Sequence, residues 1–161
     1  MENFMAADNS QFQLVSFRLG NELYGINIMD VKEIVKTQEV RSIPNAPFYI
    51  EGIINLRGEI IPIINLHKRF QIQKVEASAD EVDEGGFIII QLAGKKVGII
   101  IDHIVRVVTV EKADVKEPPQ MLSGIGTEYI QGVYRTEQEY LVILDTNKLF
   151  DAKELQKVLG N

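Results

Sequence analysis

Gly52-Ile-Ile-Asn-Leu-Arg-Gly-Glu-Ile-Ile-Pro-Ile-Ile-Asn-Leu66 predicts two β-strands joined by a tight turn. Two runs of isoleucine flank a short polar centre, and β-branched side chains fit the pleated surface of a sheet. The tip of the hairpin is predicted at Arg57-Gly58, because glycine readily takes the positive φ of such a turn. Both runs are apolar at consecutive positions, which indicates strands covered on both faces, as in a small barrel.

Arg57 and Pro62 are the two residues of this hairpin that need a separate explanation. Arg57 is either a solvated turn residue or an interaction determinant held still by a rigid hairpin, and the local pattern leaves both interpretations open. Pro62 has no backbone N–H to donate to a neighbouring strand. It is therefore predicted on an edge strand or at a bulge.

The composition indicates a soluble, cytoplasmic protein of one domain or two small subdomains. The chain has 161 residues, 45% of them hydrophobic, a net charge of −6 and no cysteine. A negative charge disfavours general binding to nucleic acid, and the lack of cysteine excludes disulfides and thiolate zinc sites. The N-terminal residues lack the pattern of a secretory signal. The apolar stretch 87–101 is interrupted by Lys95 and Lys96 and is too short to span a bilayer.

An internal duplication organises the chain. Residues 24–28 match residues 97–101 at an offset of 73, and residues 49–52 match residues 129–132 at an offset of 80. The change in offset requires seven extra residues in the second copy, which we place within 111–126. The repeat units are predicted at 12–70 and 87–150, joined by an acidic linker at 71–86, because repeats of this kind set the architecture.

The predicted fold is mainly β, with two small five-stranded barrels of the SH3-like or OB-like type. Residues 30–35 fit either a helical turn or a strand. Residues 1–11 form a flexible leader in this interpretation. A C-terminal helix with a short tail is predicted over 151–161, because Asp151 is a suitable N-cap for the helix-forming residues that follow.

The sequence shows no recognisable catalytic or cofactor site. His67 and His103 occupy unmatched positions and are interpreted as surface or packing residues. Gly124-Ile-Gly126 lacks the Gly-Lys-Ser/Thr that completes a phosphate loop, and the acidic residues at 80–84 lack calcium-loop spacing. We predict a non-enzymatic protein without metal or cofactor. The alternatives are a nucleic-acid-binding small barrel and an enzyme whose site is not recognised.

Several motifs together resemble the CheW family, the coupling proteins of bacterial chemotaxis. They are Leu19-Gly20, the runs at 24–28, 31–34 and 43–47, and the hairpin at 52–64. The resemblance covers about residues 12–150, and its most specific part is Gly-x-x-Asn-Leu-Arg-Gly-x-x-x-Pro. It implies two barrels related by a pseudo-twofold axis around a third core. The family fold also exchanges segments between its halves, in which case the spatial boundary differs from the linear one near residue 80.

The resemblance also implies partners and contact residues. A CheW-like adaptor links the cytoplasmic tip of transmembrane chemoreceptors to the regulatory domain of the histidine kinase CheA, at receptor arrays beneath the inner membrane. The implied receptor-facing residues are Val31, Glu33, Ile34, Gly52, Arg57, Val97, Gly98 and Val107. The implied kinase-facing residues are Asn55, Leu56 and Gly58 in the first copy and Lys116 and Met121 in the second.

The chemistry of these residues suits an adaptor, but plain packing explains several of them equally well. Val31, Ile34 and Val107 offer apolar anchors to a helix, and Gly52 and Gly98 would let a partner backbone approach. Arg57 can pair with a carboxylate or carbonyl group in a fork geometry. Against this, apolar equivalents in the other copy match Val31, Ile34, Val97 and Val107, and Gly98 matches Gly25, as core residues would.

Overall fold

The computed structural model describes residues 10–72, 85–92, 94–118, 127–150 and Lys153. Met121 and most of the predicted leader, linker and C-terminal helix lie outside these residues. Within them the chain forms ten strands: β1 Gln11–Leu19, β2 Glu22–Asn27, β3 Val31–Lys36, β4 Ile50–Leu56, β5 Glu59–Asn65, β6 Gly86–Leu92, β7 Lys95–Ile101, β8 His103–Glu111, β9 Ile130–Arg135 and β10 Tyr140–Leu144.

Helical structure in the described residues is short. One α-helix, α1, spans Leu66–Phe70, and 3-10 turns occupy Ile28–Asp30, Lys112–Asp114, Thr127–Tyr129 and Thr146–Lys148. The ambiguous stretch at 30–35 is thus the end of a 3-10 turn followed by a strand. Asn27 caps that turn by accepting a hydrogen bond from the backbone N–H of Met29.

The strands form two five-stranded sheets that share one topology. The first sheet has the order β8-β1-β2-β10-β9 and the second the order β3-β6-β7-β5-β4. Replacing β1 to β5 by β6 to β10, and the reverse, converts one order into the other. The prediction of two similar five-stranded units is therefore confirmed. Each sheet takes strands from both repeats, so the exchange of segments implied by the resemblance is present.

The register of the sheets repeats the same symmetry. The parallel pair β2–β10 places Gly25 beside Ile143, and the parallel pair β5–β7 places Gly98 beside Ile63. A Cβ on Gly98 would lie 2.5 Å from the Cδ1 of Ile63. The absence of a side chain at Gly25 and Gly98 therefore allows side chains of the neighbouring strands to pack close to the backbone.

Among the described residues, buried apolar side chains form three clusters, one within each sheet and one between them. The central cluster contains residues of both repeats, including Phe17, Tyr24, Ile64, Phe70, Ile90 and Val97. The first-sheet cluster is Leu14, Leu23, Val110, Leu141 and Ile143. The second-sheet cluster is Ile54, Ile61, Ile63, Phe87 and Ile89. The third core implied by the resemblance is therefore present between the sheets.

Strand β5 shows why the isoleucine runs do not alternate with polar residues. Ile61 and Ile63 pack in the second-sheet cluster, whereas Ile64 packs in the central cluster. Both faces of the strand are covered, so apolar residues are needed at consecutive positions. The prediction of an edge or a bulge for Pro62 is wrong, because β5 is an interior strand and its register shift against β4 falls at Ile63 and Ile64. The parallel pairing with β7 begins one residue later, at Ile63, so it does not include the missing N–H.

Each sheet curls so that its two outer strands approach one another. An isolated bridge pairs Arg41, after β3, with Ile53 of β4, and another pairs Lys116, after β8, with Val133 of β9. Gly52 allows the bridge between Arg41 and Ile53 to form, because a Cβ at position 52 would lie 2.2 Å from the carbonyl oxygen of Arg41. Gly52 is buried, with a φ of 154°.

Candidate docking surface

The β4–β5 hairpin ends in the predicted tip. Arg57 and Gly58 have φ values of 52° and 89°, and Leu56 pairs directly with Glu59. Positive φ at both central residues is typical of a type I′ turn, which suits the twist of paired strands. The side chain of Asn55 accepts a hydrogen bond of 2.9 Å from the backbone N–H of Gly58. The conformation of the turn is therefore stabilised by a hydrogen bond between its own residues.

Arg57 is exposed and already has an acidic partner. Its guanidinium forms an ion pair with Glu33 of β3, and the Arg57 side chain is 68% exposed. β3 and β4 stand at opposite ends of the strand order of the second sheet. The ion pair therefore spans the two outer strands and places a charged pair beside the edge of β3.

Two outer strands, β3 and β8, carry exposed apolar residues at equivalent positions. Ile34 is 47% exposed and Val107 is 50% exposed, and they are separated by the repeat offset of 73. We call Glu33, Ile34 and Arg57 the first edge patch, and Val105, Arg106 and Val107 the second edge patch. Each patch combines an exposed aliphatic side chain with a charged one on an outer strand.

The remaining implied receptor-facing residues are less accessible. Val97 is 1% exposed and belongs to the central cluster, and Val31 is half-buried against that cluster. Gly52 and Gly98 are buried, and atoms of this chain occupy the space beside both of them. The structure therefore shows a packing role for these four residues, and a docking role for them stays a prediction.

The implied kinase-facing residues are placed mainly around the hairpin tip. Asn55 and Gly58 are exposed, and no atom lies within 4 Å of an ideal Cβ on Gly58. Leu56 is half-buried and packs against the second-sheet cluster. Lys116 is exposed, and its backbone is fixed by two hydrogen bonds to Val133.

Sequence reasoning missed an ion pair that joins β1 to the β9–β10 turn. Two nitrogens of Arg18 donate to Glu139 at 2.7 and 2.6 Å. These hydrogen bonds lower the pKa of Glu139 from its ordinary value. The equivalent residue Glu59 pairs with Lys96 at 2.8 Å. An acidic residue retained at the same repeat position was the available signal.

His67 also has a partner that the sequence spacing does not reveal. Its Nε2 lies 3.2 Å from Oδ2 of Asp102, which accepts a hydrogen bond of 2.7 Å from the backbone N–H of Gly20. This arrangement is a packing contact between α1 and the two sheets. Across the described residues, no group of three or more acidic or histidine side chains is arranged to hold a metal ion. Nor is any described helix long and apolar enough to cross a membrane.

Comparison with known proteins places the chain in a family. The model of the CheW-like domain matches residues 13–154. Chemotaxis protein CheW of Treponema pallidum (strain Nichols) is 60% identical over 156 residues, covering 96% of this chain and 91% of that protein. Chemotaxis protein CheW of Klebsiella aerogenes is 32% identical over 154 residues, covering 96% and 90%.

A solved structure agrees with this result. The scaffolding protein TtCheW of Thermoanaerobacter tengcongensis superposes with a TM-score of 0.78 at 37% identity, covering 89% of this chain and 90% of that one. The topology that the two sheets of this chain share, the hairpin at 52–64 and the family match over most of the chain all indicate the same family. The chain belongs to the CheW-like family of chemotaxis scaffold proteins.

Proposed function

We propose that this protein is a non-enzymatic cytoplasmic adaptor that couples transmembrane chemoreceptors, the methyl-accepting chemotaxis proteins, to the histidine kinase CheA. The observation that carries the proposal is the pair of edge patches on a CheW-like scaffold. Two outer strands expose Ile34 and Val107 at equivalent positions, and the rigid hairpin tip that presents Arg57 is paired to the first of these strands. Function placed on a rigid scaffold in this way is typical of binding proteins.

The edge patches suit the helical tip of a receptor. An amphipathic helix docks through aliphatic contacts spaced along one face, and Ile34 and Val107 supply such contacts from two sheets. Arg57 and Glu33 add a charged pair beside Ile34. A receptor carboxylate would compete with Glu33 for the guanidinium, because both groups suit the same fork geometry.

The hairpin tip suits the kinase. Asn55 and Gly58 are exposed and fixed by their mutual hydrogen bond, so docking there would cost little ordering of the backbone. Ile60, the next residue but one, is 50% exposed and adds apolar area. The Arg57–Glu33 ion pair joins the hairpin tip to β3, so the kinase and receptor contacts are neighbouring surfaces of one scaffold.

Binding measurements with both partners test the proposal. The intact chain is mixed with a receptor cytoplasmic fragment and, separately, with the CheA regulatory domain. We expect binding to each at concentrations below about 50 μM, since a standard interface gives at least this affinity. Failure to bind either partner at that concentration would contradict the proposal. Kinase activity with receptor, measured with and without this protein, then tests coupling.

Matched variants locate the receptor contact. Ile34→Asp and Val107→Asp are expected to weaken receptor binding at least tenfold, because each places a charge in the apolar part of an edge patch. Phe48→Asp is the control, since Phe48 is a 68% exposed apolar residue in the loop before β4 that belongs to neither edge patch. Equal losses in all three variants would show that the edge patches have no special role.

The alternative of a nucleic-acid-binding barrel has weaker support. The net charge of −6 opposes the phosphate backbone, and such barrels usually combine basic grooves with stacking aromatic residues. A gel shift that weakens steeply with salt would favour that alternative over the adaptor.

A further inference from the structure

Arg69 of α1 contacts one tyrosine from each half of the molecule. Its guanidinium carbon lies 3.9 Å from the ring centroid of Tyr49 and 5.0 Å from that of Tyr129. These tyrosines are separated by the repeat offset of 80, so they occupy the same position in the two copies. Phe70, the next residue, packs on Tyr129 with a centroid distance of 5.2 Å. One helix therefore joins equivalent aromatic residues of both halves.

The two tyrosines lead into outer strands that the chain itself does not connect. Tyr49 precedes β4 and Tyr129 precedes β9, which end the orders of the second and first sheets. The backbone passes between the sheets at the connections from β2 to β3 and from β7 to β8. Each of these connections joins an interior strand of one sheet to an outer strand of the other sheet. The Arg69 stack thus bridges the edges that the covalent crossings leave unconnected.

Arg69 is also a point where the duplication is not symmetric. Its equivalent at the offset of 80 is Leu149, which is fully buried in the central cluster. The Nε of Arg69 is buried and has no hydrogen-bond partner in the described residues, which costs free energy. Apolar packing alone is non-directional, whereas a planar guanidinium between two ring faces restricts their relative orientation. The arginine therefore supplies a constraint that leucine cannot.

We propose that Arg69 sets the placement of one sheet relative to the other, and through it the spacing between the two edge patches. The inference goes beyond the adaptor function, because it concerns contacts within this chain and needs no partner. Cation–π contacts of partly desolvated groups are strong enough to bias such an arrangement. Loss of the stack should leave both sheets folded while loosening their mutual placement.

Distance measurement between two spin labels tests this directly. The chain has no cysteine, so Lys95→Cys on β7 and Gln138→Cys in the β9–β10 turn give one label on each sheet. Both positions are exposed. In this labelled background we expect Arg69→Leu to broaden the distance distribution roughly twofold, as for a loosened inter-domain hinge. Arg69→Lys should broaden it less, because lysine keeps the charge but loses the planar stack.

The control and the contrary results are equally specific. Lys68→Leu removes a neighbouring cation of the same helix that pairs with Glu51, and it should leave the distribution unchanged. An Arg69→Leu distribution that superposes on that of the labelled parent would overturn the proposal. Equal broadening in Lys68→Leu would overturn it as well. If Arg69→Leu does not unfold cooperatively, the Arg69→Lys distribution decides, and no broadening there counts against the proposal.

Discussion

The guanidinium of Arg57 pairs with the carboxylate of Glu33 although β3 and β4 stand at opposite ends of the second sheet. The pair lies at the surface, with 68% of the Arg57 side chain exposed. Exposed ion pairs contribute only about 0.2–1 kcal/mol to stability. The contact therefore orients Arg57 in the free protein without being necessary for the fold.

Replacing Arg57 by asparagine should separate stability from binding. Asn-Gly is the preferred pair for a type I′ turn, because asparagine tolerates positive φ better than arginine does. We expect Arg57→Asn to leave the free energy of unfolding within about 0.5 kcal/mol of the parent, since the gain in the turn offsets the lost ion pair. Assembly with receptor and kinase should weaken. Urea denaturation and a pull-down of the ternary complex measure the two effects.

Lys36→Ala, on the outer strand β3 that carries the Arg57 partner Glu33, is the control for Arg57→Asn. Lys36 is exposed, so its removal should change neither stability nor assembly. A loss of stability of several kcal/mol in Arg57→Asn would instead make Arg57 a structural residue. Unchanged assembly would remove the guanidinium from the docking surface.

Gly52 should be intolerant of any side chain. The Cβ of alanine would lie 2.2 Å from the carbonyl oxygen of Arg41, and the φ of 154° adds backbone strain. We expect Gly52→Ala to lower the free energy of unfolding by about 3 kcal/mol, as strain and overpacking combine. Gly52→Asp should likewise destabilise the fold, in addition to any effect on a partner that approaches Gly52. Chemical denaturation of both variants provides the measurement.

Gly58→Ala is the matched comparison for Gly52. Its φ is 89°, but nothing lies within 4 Å of an added Cβ. Only the backbone penalty applies, so a loss of about 1 kcal/mol is expected. Equal losses at the two glycines would show that the contact with Arg41 is unimportant.

The Arg18–Glu139 pair should make stability depend on pH. Hydrogen bonds from Arg18 lower the pKa of Glu139 in the folded state, whereas the unfolded value is about 4.3. The stabilisation is therefore complete above the unfolded pKa and is lost as the pH falls through the lowered folded pKa. We expect Glu139→Gln to cost about 0.5–1 kcal/mol at pH 7, after allowance for solvent screening.

Comparing the stability of Glu139→Gln with that of the parent at low pH tests the direction of this pH dependence. As the pH falls through the lowered folded pKa of Glu139, the difference between Glu139→Gln and the parent should shrink towards zero, because the carboxylate is then protonated in both states. Glu137→Gln, at an exposed position of the same turn, is the control and should stay within about 0.5 kcal/mol of the parent at pH 7. A difference that grows on acidification would contradict the assignment.

Ser16 should stabilise the bulge in β8. Its side chain is fully buried, donates to the carbonyl oxygen of Arg106 at 2.6 Å and accepts from the N–H of Arg106 at 3.2 Å. The register between β1 and β8 shifts at this point. Ser16→Ala removes both hydrogen bonds and should cost about 1–2 kcal/mol in urea denaturation. Ser42→Ala, at an exposed position, should stay within about 0.5 kcal/mol.

The repeat was the part of the sequence that predicted the architecture best. Matches such as Tyr24 with Val97 and Tyr49 with Tyr129 identify residues of the same cluster in the structure. Composition and β-branched runs predicted strands because both faces of strands such as β5 are covered. The exchange of strands came from the resemblance alone. The local sequence of β1 or β2 does not indicate which distant strand each one pairs with.

The site was predictable in its exposed parts and less so in its buried ones. The tight turn at Arg57 follows from the local pattern, whereas Ile34 came from the resemblance, because the stretch at 30–35 fitted either a helical turn or a strand; both side chains lie at the surface. The sequence could not distinguish Val97 and Gly98 from core residues, because an apolar residue in a strand covered on both faces gives no indication of which face it lies on. Pairs such as Glu33 with Arg57, or His67 with Asp102, join residues far apart in sequence, and spacing gives no signal for them.

The strand exchange has a consequence for how such a chain arose. In each repeat the opening hairpin belongs to one sheet and the following three strands belong to the other. A single repeat would therefore carry two incomplete pieces, with exposed strand edges and half of each cluster missing. It could satisfy them only by trading hairpins with a second molecule, as in a domain-swapped homodimer. Joining two such molecules end to end would turn that swap into one chain.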